Sequence, residues 1–186
     1  EWLRLLCSPG AGDILLDFPE AAVQAVPELG PCVGFDQRNP HHRWDVYTHS
    51  VKTLEGVPPV PALRLAALLH DAGKPPCFSL DEAGRGHFYG HPKVSAALAD
   101  TALARLRLPH ALRTHTVALV ERHHLPVEPT EAWAGRWLSR LGSELFFHLL
   151  ALKRADALAC APRQEGGLDS LDRAEELARQ LLARRP

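Results

Sequence analysis

A histidine followed directly by an aspartate, His70-Asp71, lies near the end of an apolar run from Leu63 to Lys74. Ionisable side chains are rarely buried unless they are paired or bound to a metal. A neutral imidazole beside a carboxylate suits a divalent transition metal. Such a pair also arises by chance at helix ends, so its meaning depends on further residues of the same chemistry.

Four such residues lie on other predicted helices: His49, His91, His123 and Asp156. Asp156 stands in an otherwise largely apolar helix and therefore needs a partner. Ligands from separate helices of a bundle can converge in its interior and hold one or two divalent ions. Six ligands exceed the needs of one tetrahedral ion. They fit a two-ion site bridged by Asp71, which would polarise a phosphoryl oxygen and activate water near neutral pH.

The elements that must position these residues are helices. Apolar residues recur at helical spacing, and Pro, Gly, Ser and Thr punctuate the pattern. Residues 75–90 instead have apolar ends around a polar Gly-containing turn, which is typical of a β-hairpin. The sequence predicts helices at about 1–7, 19–26, 45–54, 61–73, 92–106, 110–124, 130–141, 143–160 and 168–185.

Composition excludes several other classes of protein. The chain is 46% apolar, has a formal net charge of −1 and contains no block of like charge, so a generic nucleic-acid-binding surface is not predicted. Its four cysteines are far apart, which favours reduced thiols and a cytoplasmic location. No apolar run of ~18 residues predicts a membrane span. The chain begins at Glu1 and contains no methionine, so we expect it to be processed or part of a longer protein.

The order of these residues resembles that of the HD superfamily of metal-dependent phosphohydrolases. The resemblance rests on His49, His70-Asp71 and Asp156, and the additional His91 and His123 resemble its members with binuclear sites. The segments RWDVYTHSV, LRLAALLHDAGKPPCF and GHFYGHPKVSA are similar to the HD domain of bacterial tRNA nucleotidyltransferases, which include CCA-adding enzymes and poly(A) polymerases. The similarity extends over roughly residues 28–160.

The resemblance implies an all-α HD-domain helical bundle with one small β-hairpin insertion. We expect an N-terminal helical lead-in at 1–40, the HD domain at 41–160 and a C-terminal amphipathic helix at 161–186. It implies hydrolysis of a phosphomonoester or 2′,3′-cyclic phosphodiester on a nucleotide or RNA end. The expected cofactor is one or two ions of Fe, Mn, Co, Ni or Zn. The resemblance implies that one ion is held by four residues, His49, His70, Asp71 and Asp156. A second ion would be held by His91 and His123, with His124 as an alternative to His123.

Four side chains are candidates for binding substrate. Lys74 could orient a phosphate as a point charge, or be an exposed lysine at a helix end. Arg154 could act in the same way. His42 matches a histidine of the resembled family and could line the cleft, and His87 of the hairpin could act as an acid above the metals.

Two other functions remain open. The domain could be a non-catalytic module that positions tRNA or mediates dimerisation around a structural metal, or it could be a free-standing nucleotide hydrolase. The nucleotidyltransferase head of the resembled family is missing from this sequence. The chain is therefore not expected to add nucleotides, and any tRNA contact would depend on such a head. A homodimer is possible, and no membrane partner is expected.

Overall fold

The computed structural model describes residues 1–39, 43–160 and 167–184. The N-terminal part consists of short helices: α1 (Trp2–Leu6), α2 (Ala11–Asp17), α3 (Pro19–Ala25) and a 3-10 helix (Pro27–Cys32). The sequence pattern did not predict α2, which is only two turns long and follows a Pro-Gly pair. Leu6, Leu15 and Leu29 are buried in the same core as the later helices, so this lead-in packs as part of the main bundle.

The helices that carry the chemical residues have clear local origins. Helix α4 (Val46–Gly56) starts where the Asp45 carboxylate accepts a hydrogen bond from the Thr48 amide at 2.7 Å, a standard N-cap. Helix α5 (Pro61–Leu69) begins with proline, which is favoured in a first turn. It ends at Leu69 rather than near Gly73 as the pattern indicated. The His70–Lys74 segment therefore leaves the helix as a chain of turns, which lead into a short 3-10 helix (Pro75–Cys77).

The predicted β-hairpin is present and short. Strand β1 (Ser79–Leu80) pairs antiparallel with β2 (Gly86–His87). Gly86 approaches the segment before α4 so closely that a Cβ would lie 2.1 Å from the Gln37 carbonyl oxygen. The hairpin is thereby held against the rest of the molecule.

The remaining helices complete two apolar clusters. They are α6 (His91–Arg105), α7 (His110–Arg122), α8 (Glu131–Leu141), α9 (Ser143–Ala159) and α10 (Gly167–Ala183). The main cluster includes residues of α1–α7 and α9. A smaller cluster joins α8, α9 and α10 around Trp133, Phe146 and Leu171. The prediction of an all-α bundle with one small hairpin is confirmed.

Two further predictions concern the chain as a whole. In the described ranges, no helix has the length and apolar character needed to cross a membrane. No disulfide joins Cys7, Cys32, Cys77 and Cys160, all of which lie in the described part of the chain, as their wide spacing predicted.

Candidate metal centre

Five elements bring the six predicted ligands to one place. His49 is the fourth residue of α4, and His70 and Asp71 follow the end of α5. The remaining three come from helix ends or a helix interior: His91 from the first residue of α6, His123 from just after α7, and Asp156 from α9. His70 is 0% exposed and Asp71 is 1% exposed, so the centre of the cluster is buried.

The two carboxylate oxygens of Asp71 face different histidines. Oδ2 lies 3.3 Å from Nε2 of His70 and 3.5 Å from Nε2 of His49. Oδ1 lies 3.2 Å from Nε2 of His91 and 3.7 Å from Nε2 of His123. Asp71 therefore stands between two sets of imidazoles, with one oxygen directed to each.

Each set has a third member. Asp156 joins the first, with Oδ1 at 3.0 Å from Nε2 of His49 and 3.7 Å from Nε2 of His70. His124 joins the second beside His91 and His123. Within each set, the ligand atoms all lie within 4.8 Å of one another. We call His49, His70 and Asp156 the inner set and His91, His123 and His124 the outer set. The sequence left open whether His123 or His124 is the ligand, and in the structure both lie in the outer set.

Three of the imidazoles are oriented by the backbone. Nδ1 of His70 lies 2.8 Å from the Ala67 carbonyl oxygen, and Nδ1 of His91 lies 2.8 Å from that of Phe88. Nδ1 of His123 similarly lies 2.7 Å from the carbonyl oxygen of the residue three positions earlier. A carbonyl oxygen only accepts, so Nδ1 carries the proton and donates it. Nε2 of each ring is then directed into the cluster, as in metal-binding histidines.

The electrostatics of the cluster favour a bound cation. Burial by itself would lower the pKa of His70, but the carboxylates of Asp71 and Asp156 outweigh it and raise that pKa to about 10. Burial would raise the pKa values of the two carboxyl groups, yet neighbouring histidines hold both well below their usual range. In the outer set, burial lowers the pKa of His123 strongly, and partial desolvation lowers that of the more exposed His124 to about 4. The inner set thus attracts positive charge, and His123 and His124 of the outer set favour the neutral imidazole.

The donor set passes a direct test for a divalent metal. Among the residues that the structure describes, Nε2 of His70 and Oδ1 of Asp71 are buried without a hydrogen bond of good geometry. A buried polar atom without a partner is costly, and such atoms in native proteins call for an explanation. Mixed imidazole and carboxylate ligands suit Fe, Mn, Co, Ni or Zn. A metal held by these two atoms would account for their orientation.

The cluster opens into a cleft of about 820 Å³. Its floor includes Asp71, His91, His123 and Asp156, and its walls come from the hairpin, the segment after α7 and the first turns of α10. A phosphate ester entering the cleft would therefore meet the predicted metal ligands at its base.

Lys74 occupies a different position from the one the sequence indicated. Its Nζ lies 2.7 Å from Oδ2 of Asp71 and donates to Oε1 of Gln37 at 2.8 Å. The residue is only 3% exposed. It borders the cleft, but its ammonium group already has two oxygen partners. The main contact of Lys74 is thus with the carboxylate of Asp71, whose charge it balances. That Lys74 binds a substrate phosphate stays a prediction, and this geometry does not favour it.

The other three candidates for substrate binding fall in different places. His87 lines the cleft, and its Nε2 lies 2.9 Å from Oδ2 of Asp81. Arg154 is not among the residues lining the cleft and instead pairs with Asp172 and Glu175 of α10. Arg154 therefore links two helices, because its guanidinium extends toward α10. His42 lies outside the described residues.

Two residues of the site were missed in the sequence. Lys153 lines the cleft, and its Nζ donates to the His123 carbonyl oxygen at 2.7 Å. Its position three residues before Asp156 places both on one face of α9, a signal that the sequence does offer. Gln37 had no comparable signal, because its partner Lys74 is 37 positions away.

Comparison with known proteins identifies the class to which this site belongs. Residues 41–161 match the HD domain, so the chain belongs to the HD-domain family. It is 38% identical over 164 residues to the A-adding tRNA nucleotidyltransferase of Deinococcus radiodurans, covering 84% of this chain and 37% of the relative. It is 36% identical over 193 residues to the CC-adding tRNA nucleotidyltransferase of Thermus thermophilus, covering 100% of this chain and 44% of the relative. The chain thus spans less than half the length of these relatives.

Proposed function

We propose that this domain is a metal-dependent phosphohydrolase that acts on phosphomonoesters or 2′,3′-cyclic phosphodiesters at nucleotide or RNA ends. One observation carries the proposal. A buried carboxylate, Asp71, directs one oxygen to each of two ligand sets at the base of an open cleft. The inner set would hold one ion and the outer set a second.

Bound divalent ions would supply Lewis-acid polarisation of a phosphoryl oxygen and a water activated near neutral pH. The protein's own residues have separate tasks. Asp71 lies between the two ligand sets and directs one oxygen to each. Lys74 holds Asp71 ionised and in place through its 2.7 Å contact. Lys153 borders the cleft and provides a cation for the phosphate.

The substrate class is proposed from the relatives. Both are named tRNA nucleotidyltransferases, and their names describe addition to tRNA. An RNA end is therefore the natural phosphorylated substrate to propose for this domain, with tRNA as the larger partner and the cytoplasm as the compartment. A homodimer remains a further proposal that needs a measurement in solution.

The test is a hydrolysis assay of the purified protein loaded in turn with Mn, Fe, Co, Ni and Zn. The substrates are p-nitrophenyl phosphate, bis-p-nitrophenyl phosphate and 2′,3′-cyclic AMP. We expect hydrolysis of at least one substrate class with at least one metal, and its loss in Asp71→Ala. Asp100→Ala is the matched control, because Asp100 pairs with Arg113 on the outside of α6 and α7.

An inactive protein with a full complement of metal would contradict the proposal. If Asp71→Ala also failed to fold, the ion would be structural. The domain would then be better described as a module that positions tRNA.

A further inference from the structure

An exposed aromatic side chain stands at the entrance of the cleft. Tyr89 lies in the short segment between strand β2 and helix α6 and is 78% exposed, the most exposed large apolar side chain in the described part of the chain. It lines the same cleft as Asp71, Asp156 and the outer set. Single exposed aromatic side chains are common on protein surfaces, so it is the position of Tyr89 in the cleft that makes it a candidate for binding.

The ring is held in a defined orientation. The imidazole of His87 stacks on it, with ring centroids 5.3 Å apart and planes only 4° from parallel. The Tyr89 hydroxyl lies 3.3 Å from Nδ1 of His87, whose Nε2 lies 2.9 Å from Oδ2 of Asp81. This chain of contacts runs from the turn of the hairpin to the ring. Because His87 covers one face and the residue is largely exposed, the opposite face is open to solvent.

The position of the ring suits one nucleotide. Tyr89 precedes the outer-set ligand His91 by two residues, a span of at most about 7 Å along the backbone. Both residues line the cleft, so the ring of a nucleotide whose phosphate reaches the outer set would lie in the same cleft as Tyr89. Gly90, with φ +79°, turns the chain sharply between the two residues and fixes their relation.

We propose that the open face of Tyr89, backed by His87, stacks against the nucleobase whose ribose carries the scissile phosphate. This proposal rests on the phosphohydrolase function and adds a determinant of specificity to it. The site takes a nucleoside phosphate in preference to a phosphate ester without a base. Stacking on an aromatic side chain tolerates all four bases, so a preference for nucleotides with little preference among them is expected.

The test compares binding of adenosine 3′-monophosphate with binding of ribose 5-phosphate to the Mn-loaded protein, by isothermal titration calorimetry. Both ligands carry a phosphomonoester, but only the first has a base. Tyr89→Ala is expected to weaken binding of the adenosine compound about 5- to 150-fold, the range that base stacking supports, and to leave ribose phosphate unchanged. Tyr89→Phe keeps the stacking ring and loses only the hydroxyl contact with His87, so its affinity should stay close to that of the wild type and well above that of Tyr89→Ala.

Leu80→Ala is the matched control, because Leu80 is an exposed apolar residue of the same hairpin that does not line the cleft. It should change neither affinity. A short RNA with a 3′-phosphate should show the same loss in Tyr89→Ala if an RNA end is bound in this way. Equal affinity of the wild type for both small ligands would overturn the proposal, and so would an equal loss of both in Tyr89→Ala.

The same variants separate this proposal from the phosphohydrolase function. Suppose that the wild type hydrolyses no 2′,3′-cyclic AMP, yet binds the adenosine compound preferentially and loses that preference in Tyr89→Ala. The stacking site then stands, and the hydrolytic function fails. Suppose instead that the wild type hydrolyses 2′,3′-cyclic AMP and that Tyr89→Ala keeps the preference for the adenosine compound. The hydrolytic function then stands, and the stacking site fails.

Discussion

Asp71 shows at the scale of one residue how a buried charge is stabilised. A carboxylate removed from water loses solvation worth several kcal/mol unless partners replace it. In Asp71, Oδ2 lies 2.7 Å from Nζ of Lys74, and histidines contact both carboxylate oxygens. The His-Asp pair and the other ligands were predicted from residue type and spacing. The role of Lys74 was not, because its burial depends on packing between distant segments.

Lys74→Ala is expected to lower the free energy of unfolding of the metal-free protein by about 3–5 kcal/mol, since it removes one partner of a buried ion pair. Chemical denaturation in the presence of a chelator measures this. Lys52→Ala is the control: Lys52 and Glu55 form an ion pair at 2.9 Å with the same spacing along the chain, but in partial contact with solvent. Its loss should cost less than about 1 kcal/mol. Equal effects of the two variants would show that Lys74 does not neutralise Asp71.

Lys153→Ala is expected to act on catalysis and to spare metal binding. Removing one charged contact to the substrate phosphate should cost about 1.5–3 kcal/mol, which is roughly 10- to 150-fold in kcat/KM. Steady-state kinetics on 2′,3′-cyclic AMP, with metal content checked on the same sample, provide the measurement. Lys93→Ala serves as control, because Lys93 is exposed on α6 and does not line the cleft. If Lys153→Ala lost metal, the role of Lys153 would instead be to position His123 through the hydrogen bond to its carbonyl oxygen.

At the scale of elements, the turn after α5 must pass very close to the start of α6. The Gly73 amide donates to Oγ of Ser95 at 2.8 Å. A Cβ on Gly73 would lie 2.6 Å from the Ser95 nitrogen and 2.7 Å from the His91 carbonyl oxygen. Glycine is therefore required where the segment with His70 and Asp71 meets the helix that carries His91.

Gly73→Ala should force α6 away from this turn and so displace His91 from the outer set. We expect a loss of about 1–3 kcal/mol in the free energy of unfolding and weaker binding of the second metal. Thermal unfolding and metal titration test both effects. Gly135→Ala in α8 is the matched control, because its Cβ would meet only Leu181 at an ordinary 3.6 Å. That change should be neutral or stabilising by up to ~1 kcal/mol. The same outcome for Gly73→Ala would contradict the close packing described.

The N-terminal lead-in is joined to α6 by an ion pair that predicts a pH dependence. Arg105 donates two hydrogen bonds to Glu28, at 2.6 and 2.7 Å, and these hold the pKa of the Glu28 carboxyl below its usual 4.5. A lowered folded-state pKa adds stability above the unfolded value, and this stability is lost as the pH falls through the folded value.

Glu28→Gln should therefore lower the melting temperature at pH 7, and its difference from the wild type should close progressively below about pH 4.5. Scanning calorimetry across this range measures the difference. Glu82→Gln, in the exposed turn of the hairpin, provides the comparison. A difference for Glu28→Gln that stays constant down to pH 3 would rule out ionisation of Glu28 as its source.

At the scale of the whole molecule, the sequence predicts those features that depend on neighbouring residues along the chain. The helices, the hairpin and the arrangement of His49, His70, Asp71 and Asp156 on apolar elements follow from periodicity and residue type. Arg154 shows where this reasoning stops, because its partners on α10 depend on how that helix packs, which the spacing of α9 does not reveal. Helix α2 was missed because two turns after a Pro-Gly pair leave little periodic signal. The division at residues 40 and 160 stays a prediction, and the lead-in shares the core of the bundle.

The central claim is that Asp71 separates two metal-binding sets within one cluster. Equilibrium dialysis followed by elemental analysis tests it most directly, on the wild type, His91→Ala and Asp156→Ala, with His110→Ala as a control outside the cluster. Two ions per chain are expected in the wild type and in His110→Ala. About one ion is expected in each of the other two variants, because each loses a member of a different set. A single ion in the wild type that persists in His91→Ala would contradict the two-ion site, and no bound ion in any preparation would contradict the metal centre itself.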